Sequence, residues 1–265
     1  MLKGYTKQEI SWMIYDWANS AHSVIIVTLL PIFFDTVAGY TADSVSSMST
    51  WGYATSIAML IVALAAPFLG VFGDIRGMRK KLFRFFMLLG VAACAGMAFT
   101  PGMDFTSGPV AAGKVASLIL VLYIVSVIGF DASAIYYDAF LTDVTTEDRM
   151  DKVSTMGYGL GYIGGSTIPL LIFLIMNLVG VPMLTCLAFV FGLTAVWWLA
   201  FSLPLLKNCE QTSGKPYEKG DVARSIKGVG TTIKEIIANK PMLIYILSYF
   251  FYIDGVYTII EMATA

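Results

Sequence analysis

Several carboxylates of this 265-residue sequence sit inside apolar runs, and ionisable groups in such surroundings are the first candidates for chemistry. Asp16, Asn19, Ser20 and Ser23 punctuate the apolar stretch 12–34. At helical pitch they fall within one arc of roughly 100°, a polar stripe facing protein or a water-filled cavity. His22 lies off that arc and reads as a packed or interfacial histidine before a proton carrier. Asp131 and Asp138 are seven residues apart and share a helical face. Asp254 repeats the pattern near the end of the chain, with Tyr257, Thr258 and Glu261 on its side; Glu261 reads as interfacial. A charge at the centre of a bilayer costs roughly 2.5–3.5 kcal/mol on insertion scales, so residues of this kind point to a pathway for a solute or a proton.

Other chemistries find little support. The three cysteines (Cys94, Cys186 and Cys209) are widely spaced, and the first two fall in apolar runs where they pack as small hydrophobes. His22 is the one histidine, so no metal site is expected, and no cofactor. A membrane-embedded enzyme would need a nucleophile–base pair or a metal cluster, and neither is visible. No pore-loop or repeated filter segment suggests an ion channel. No nucleic-acid partner is expected.

These residues must be positioned by membrane helices. Hydrophobic residues make up 57% of the sequence and charged ones 13%, against about 25% charged in soluble domains. Seven stretches are long enough to cross a bilayer: 12–34, 51–72, 82–99, 115–137, 153–178, 183–205 and 241–262. The first is too long and too polar to be a cleaved signal. Sixteen of the seventeen basic residues fall on one side of these stretches, Lys114 being the exception, which predicts a cytoplasmic N-terminus. Ile226, Val229, Ile233 and Ile237 recur at helical spacing in the connection 207–240, as expected of an amphipathic helix on the inner membrane surface; a solvated linker is the other reading. The fifth stretch carries Gly157, Gly161 and Gly165 at intervals of four, a seam for close helix packing that also lets helices rock, with Pro169 expected to bend it.

The segment from Gly70 to Lys80 joins the second and third stretches, with Asp74 and Gly77 set among Arg76, Arg79 and Lys80. Glycine permits a tight reversal, and a carboxylate beside basic groups can make state-dependent ion pairs. The segment resembles the cytoplasmic signature of the major facilitator superfamily, although Ile75 and Met78 stand where that signature has basic residues. Tyr15-Asp16-Trp17-Ala18-Asn19-Ser20, Tyr137-Asp138 to Asp143, Val153-Ser154 with 157–165, and Asp254-Gly255-Val256 with 258–260 are similar to the branch related to the fungal vacuolar amino-acid effluxer linked to autophagy.

That resemblance implies an all-α integral membrane protein: a major facilitator six-helix N-terminal bundle (1–206), a cytoplasmic inter-half linker (207–240) and the first helix of a second half (241–265). It implies alternating access, with the first, fourth and seventh helices lining a central cavity. The expected function is secondary transport of a small solute across the cytoplasmic membrane, with amino-acid efflux as the specific form and protons as the coupling ion. Asp16, Asn19, Ser20, Ser23, Asp131, Asp254 and Tyr257 are the expected pathway. Gly70, Asp74, Gly77, Arg79, Lys80 and Asp138 are the expected cytoplasmic gate. The chain is expected to be a fragment of a twelve-helix protein. A non-transporting receptor or scaffold is the alternative from another class.

Overall fold

The computed structural model describes residues 4–41, 47–216 and 221–262. α1 (Lys7–Ala38) opens with a capping box, in which the Thr6 side chain accepts from the Glu9 amide and the Glu9 carboxylate accepts from the Thr6 amide. α2 (Ser47–Gly73) and α3 (Arg79–Met97) are joined by a tight loop through Gly77, whose φ of +80° suits glycine. α4 (Pro109–Val144) begins on a proline, where the missing amide is harmless, and runs past the predicted end of its apolar stretch. Asp138 and Asp143 therefore share one helix.

The fifth crossing is α5 (Met150–Leu160), a π turn (Gly161–Ser166) and α6 (Thr167–Leu178). Its irregularity lies at the glycine-rich π turn, ahead of Pro169, where the sequence pointed to a proline bend. The Thr167 hydroxyl donates to the Tyr162 carbonyl at 2.9 Å, occupying an acceptor in the wide turn. α7 (Met183–Asn208) completes the sixth crossing. α8 (Asp221–Ala238) is the helix expected in the linker, and Ile233 and Ile237 on it are exposed. α9 (Lys240–Met262) follows.

Among the described residues, six helices are long and apolar enough to cross a membrane; the α8–α9 pair, bent by 100°, supplies a seventh if taken as one span. α1 is central, packed against α7, α4, α5 and the π turn, while α3 bridges α4 and α7 and α2 lies on α4. Small residues set these approaches. A Cβ on Gly129 would lie 2.5 Å from the Gly90 amide nitrogen, so α3 and α4 cross glycine on glycine. Aromatic side chains fill the interior, Tyr15, Phe83, Phe191 and Trp198 among them. Large apolar groups such as Leu60, Leu64, Ile163 and Val196 point outward, as suits a surface bathed in lipid. The substantial packing of α9 is with α8, not with the bundle.

Candidate functional site

Asp16 and Ser20 lie one helical turn apart on α1, and the glycine seam of the fifth crossing lies directly against them. A Cβ on Gly157 would stand 2.8 Å from Asp16 Oδ2, one on Gly161 would stand 2.6 Å from Ser20 Oγ, and one on Gly165 would stand 2.4 Å from the Trp17 carbonyl oxygen. The polar stripe and the glycine row, separate features in the sequence, are thus two sides of one contact. The Tyr137 phenol of α4 lies beside the Asp16 carboxylate. Even so, neither Asp16 Oδ2 nor the Tyr137 hydroxyl, both buried, completes a well-formed hydrogen bond. Asp138 keeps solvent access while lying within electrostatic reach of Asp16, Tyr15 and Tyr137. Trp12 stacks on Tyr137 at 4.4 Å and donates through Nε1 to its carbonyl at 2.8 Å, which fixes α4 in register with α1.

A directed chain of hydrogen bonds backs this cluster. The Ser133 hydroxyl donates to the Phe130 carbonyl at 2.8 Å, so toward Tyr15, 2.9 Å away, it accepts. Tyr15 in turn accepts from Trp198 Nε1 at 3.3 Å. Similar reasoning applies to His22. Ser126 donates to the Tyr123 carbonyl, leaving its oxygen to accept from His22 Nε2 at 3.2 Å. His22 is buried, stacked on Phe130 and packed beside Trp198, in keeping with a packed histidine.

The loop between α2 and α3 forms a second polar network at the end of the bundle rich in basic residues. Arg79 is buried and donates through Nη1 to the Ala139 carbonyl at 3.0 Å, to Ser213 Oγ at 3.2 Å and to Asp143. Asp74 approaches Arg79 Nη2 at 3.7 Å with its own side chain 81% exposed. Asp143 Oδ1 gathers the amides and hydroxyls of Thr212 and Ser213 at 2.8–3.0 Å. Gln211 Oε1 accepts from the Gly77 amide at 2.8 Å and the Arg79 amide at 3.3 Å, and its Nε2 donates to the Gly73 carbonyl at 3.0 Å. One side chain thereby spans both ends of the loop and caps the start of α3. Lys80 pairs with Glu210 at 2.5 Å.

Beside it, Glu9 receives Arg149 through Nε at 2.8 Å and Nη2 at 2.9 Å, and Thr145 Oγ1 at 2.7 Å. This fork ties the start of α1 to the turn between α4 and α5.

Of the expected pathway residues, Asp16, Asn19, Ser20 and Ser23 lie on α1, with Asn19 buried, and Asp131 is half-buried on α4. Asp254 is exposed on α9, while the side chains of Tyr257 and Glu261 lie outside the described residues. Gly70, Asp74, Gly77, Arg79 and Lys80 cluster at the loop, but Asp138 belongs to the Asp16 neighbourhood; Asp143 is the α4 carboxylate that engages Arg79. Sequence reasoning passed over Gln211, Ser213, Glu9 and Arg149. The capping-box spacing of Thr6 and Glu9 was the one available signal.

The family model described as "Vacuole effluxer Atg22 like" matches residues 5–149 and 142–265, together nearly the whole chain. The chain belongs to that family. This Atg22-like chain is also 40% identical, over 273 aligned residues and its full length, to a Bacillus subtilis (strain 168) protein described as "Uncharacterized MFS-type transporter YxiO". The chain spans 61% of that relative's length. It is 27% identical over 124 residues to "Autophagy-related protein 22-1" of Sclerotinia sclerotiorum, a match covering 41% of the chain and 21% of the fungal protein. The Atg22-like chain is an all-α, multi-pass membrane protein of the major facilitator type.

Proposed function

We propose that this chain serves secondary transport, moving a small solute by alternating access, with amino acids as the substrate class and efflux as the direction. The six-helix bundle (1–206), the linker (207–240) and the start of a second half (241–265) divide the work. Sixteen of seventeen basic residues on one side favour a cytoplasmic N-terminus in the cell membrane. The description of the family as an effluxer and that of the Bacillus relative as a transporter favour transport over catalysis.

The observation that carries the reading is Asp16, a carboxylate held inside an apolar helix with the Tyr137 phenol beside it and its Oδ2 outside any well-formed hydrogen bond. An arrangement that leaves such a group without a full set of partners suits a site that waits for a cation, an amine or a proton. Asn19, Ser20, Ser23, Asp131, Asp254 and Tyr257 extend the pathway, with Asp138 beside Asp16 at its mouth, and Asp74, Gly70, Gly77, Arg79 and Lys80 serve the gate. The solute's amino group and the coupling proton both meet carboxylates along this route.

The test is efflux of a 14C-labelled amino-acid mixture from liposomes carrying the protein, with and without an imposed pH gradient. Wild type should release label faster when the gradient is present, and Asp16→Asn should abolish that acceleration. Release equal to protein-free liposomes would overturn transport of this class. Release that ignores the gradient would overturn proton coupling alone.

A further inference from the structure

The segment that leaves α7 does more than connect. Within Cys209–Lys215, Gln211 bonds to the Gly73 carbonyl and to the Gly77 and Arg79 amides. Thr212 and Ser213 saturate Asp143 Oδ1. Lys215 donates its amide to the Asp74 carbonyl at 3.1 Å and accepts from the Arg76 amide at 3.0 Å, making a short parallel bridge with Ile75. Gly214 has φ +122°, and a Cβ there would stand 2.8 Å from the Asp74 carbonyl oxygen, so the close fit depends on glycine. We propose that Cys209–Lys215 is a clasp that holds the α2–α3 loop against the end of α4 and must lift before that end of the bundle opens.

The proposal rests on the transporter reading above for its purpose but not for its geometry. Three features separate a clasp from a fixed connector. Its bonds are polar and its residues from Thr212 onward are exposed, so water can replace each partner as it leaves. It grips Arg79 through Ser213 and Arg79's own carboxylate, Asp143, at the same time, so lifting it loosens the loop's central ion pair. It precedes α8, which packs on α2 of the bundle as well as on α9, so the clasp lies between the bundle and the helices that follow it.

A thiol reports on its state. Cys209 is buried at the base of the clasp, with Sγ 3.6 Å from the Gln8 carbonyl oxygen, while Cys94 and Cys186 are buried elsewhere in the bundle. Maleimide labelling of the full chain in liposomes, resolved by peptide, reads each site. Gln211→Ala should label at Cys209 about tenfold faster than wild type or more, with Cys94 and Cys186 still protected, since it removes three hydrogen bonds. Equal Cys209 rates in the two proteins would overturn the clasp. Should all three thiols of Gln211→Ala react, the bundle itself has loosened, and Ser213→Ala, read in the same way, decides between the same two outcomes. Joining clasp to loop through an Ile75→Cys/Lys215→Cys disulfide should stop release of the 14C amino-acid mixture until it is reduced; undiminished release with the disulfide formed would also overturn the proposal. If the reduced protein moves none of the mixture, the substrate reading fails, and the labelling rates alone decide the clasp.

Discussion

The carboxylate of Asp16 lies on the bare backbone of Gly157, so close that a Cβ at that glycine would come within 2.8 Å of Asp16 Oδ2. One turn further on, Ser20 and Gly161 repeat the relationship at 2.6 Å. At Gly161 and Gly165 the α1 backbone itself stands close, with the Asp16 and Trp17 carbonyl oxygens 3.1 and 2.4 Å from the added Cβ positions, so a side chain there must push the two helices apart.

Gly161→Ala should accordingly destabilise the protein, by about 1–3 kcal/mol for an overpacked interface. Gly159, on the same helical stretch, has nothing within 4 Å of its Cβ position, so Gly159→Ala should be neutral or mildly stabilising through helix propensity. Thermal unfolding of the two variants in one detergent checks the contrast. Equal melting temperatures would remove the claim that the row sets the interface.

The two acidic partners of Arg79 should behave differently. Asp143 has no exposed side-chain surface and holds both the guanidinium and the clasp amides. Asp74 is largely exposed and 3.7 Å away. An exposed ion pair of that kind contributes less than about 1 kcal/mol, whereas breaking a buried one by losing a partner costs about 3–5 kcal/mol. Asp143→Asn should thus lower the melting temperature far more than Asp74→Asn. Any effect of Asp74→Asn should appear in the rate of solute turnover, with substrate affinity little changed.

Tyr15 links α4 to α7 through its hydroxyl, and removing it affects the two neighbours unequally. Ser133 keeps its bond to the Phe130 carbonyl, but Trp198 Nε1 loses its acceptor inside a fully buried cluster. An orphaned buried donor costs about 1–3 kcal/mol. Tyr15→Phe should be destabilising by that amount although it keeps the ring and its packing on Phe83 and Tyr137. Denaturation followed by tryptophan fluorescence measures it.

Periodicity made the crossings legible because lipid imposes a long apolar run on each, and the stripe on α1 was visible for the same reason. What periodicity could not supply was the partner. Asp16 and Gly157 are far apart in sequence, and nothing in either segment says they meet. The α4 carboxylates illustrate the limit more sharply: Asp138 and Asp143 both sit near the end of one helix, and only its continuation to Val144 decides which one turns toward Arg79. Gln211 and Ser213 look like ordinary turn residues because their partners are distant in sequence: backbone groups of the α2–α3 loop for Gln211, the side chains of Asp143 and Arg79 for Ser213. The π turn likewise has no signature beyond its glycines, whereas Pro169 carries the stronger bend signal in sequence.

Cys209 offers a pH test outside the membrane-spanning helices. Burial pushes its thiol up to about 12, with the neighbouring Lys80 pulling weakly the other way. A free thiol in an unfolded chain ionises near 8.5. Below that pH both states hold the proton, and the group adds no pH dependence. Above it the unfolded chain releases the proton while the folded one retains it, so stability should fall as pH rises from about 8.5 toward about 12. Cys209→Ser should shrink the part of that decline that belongs to the thiol. Iodoacetamide should likewise modify wild-type Cys209 slowly at pH 8, since the thiolate is scarce and enclosed, and faster in any variant that frees the segment. Rapid modification of wild type at pH 8, with the helices intact by circular dichroism, would show that the base of the clasp is open in the resting protein.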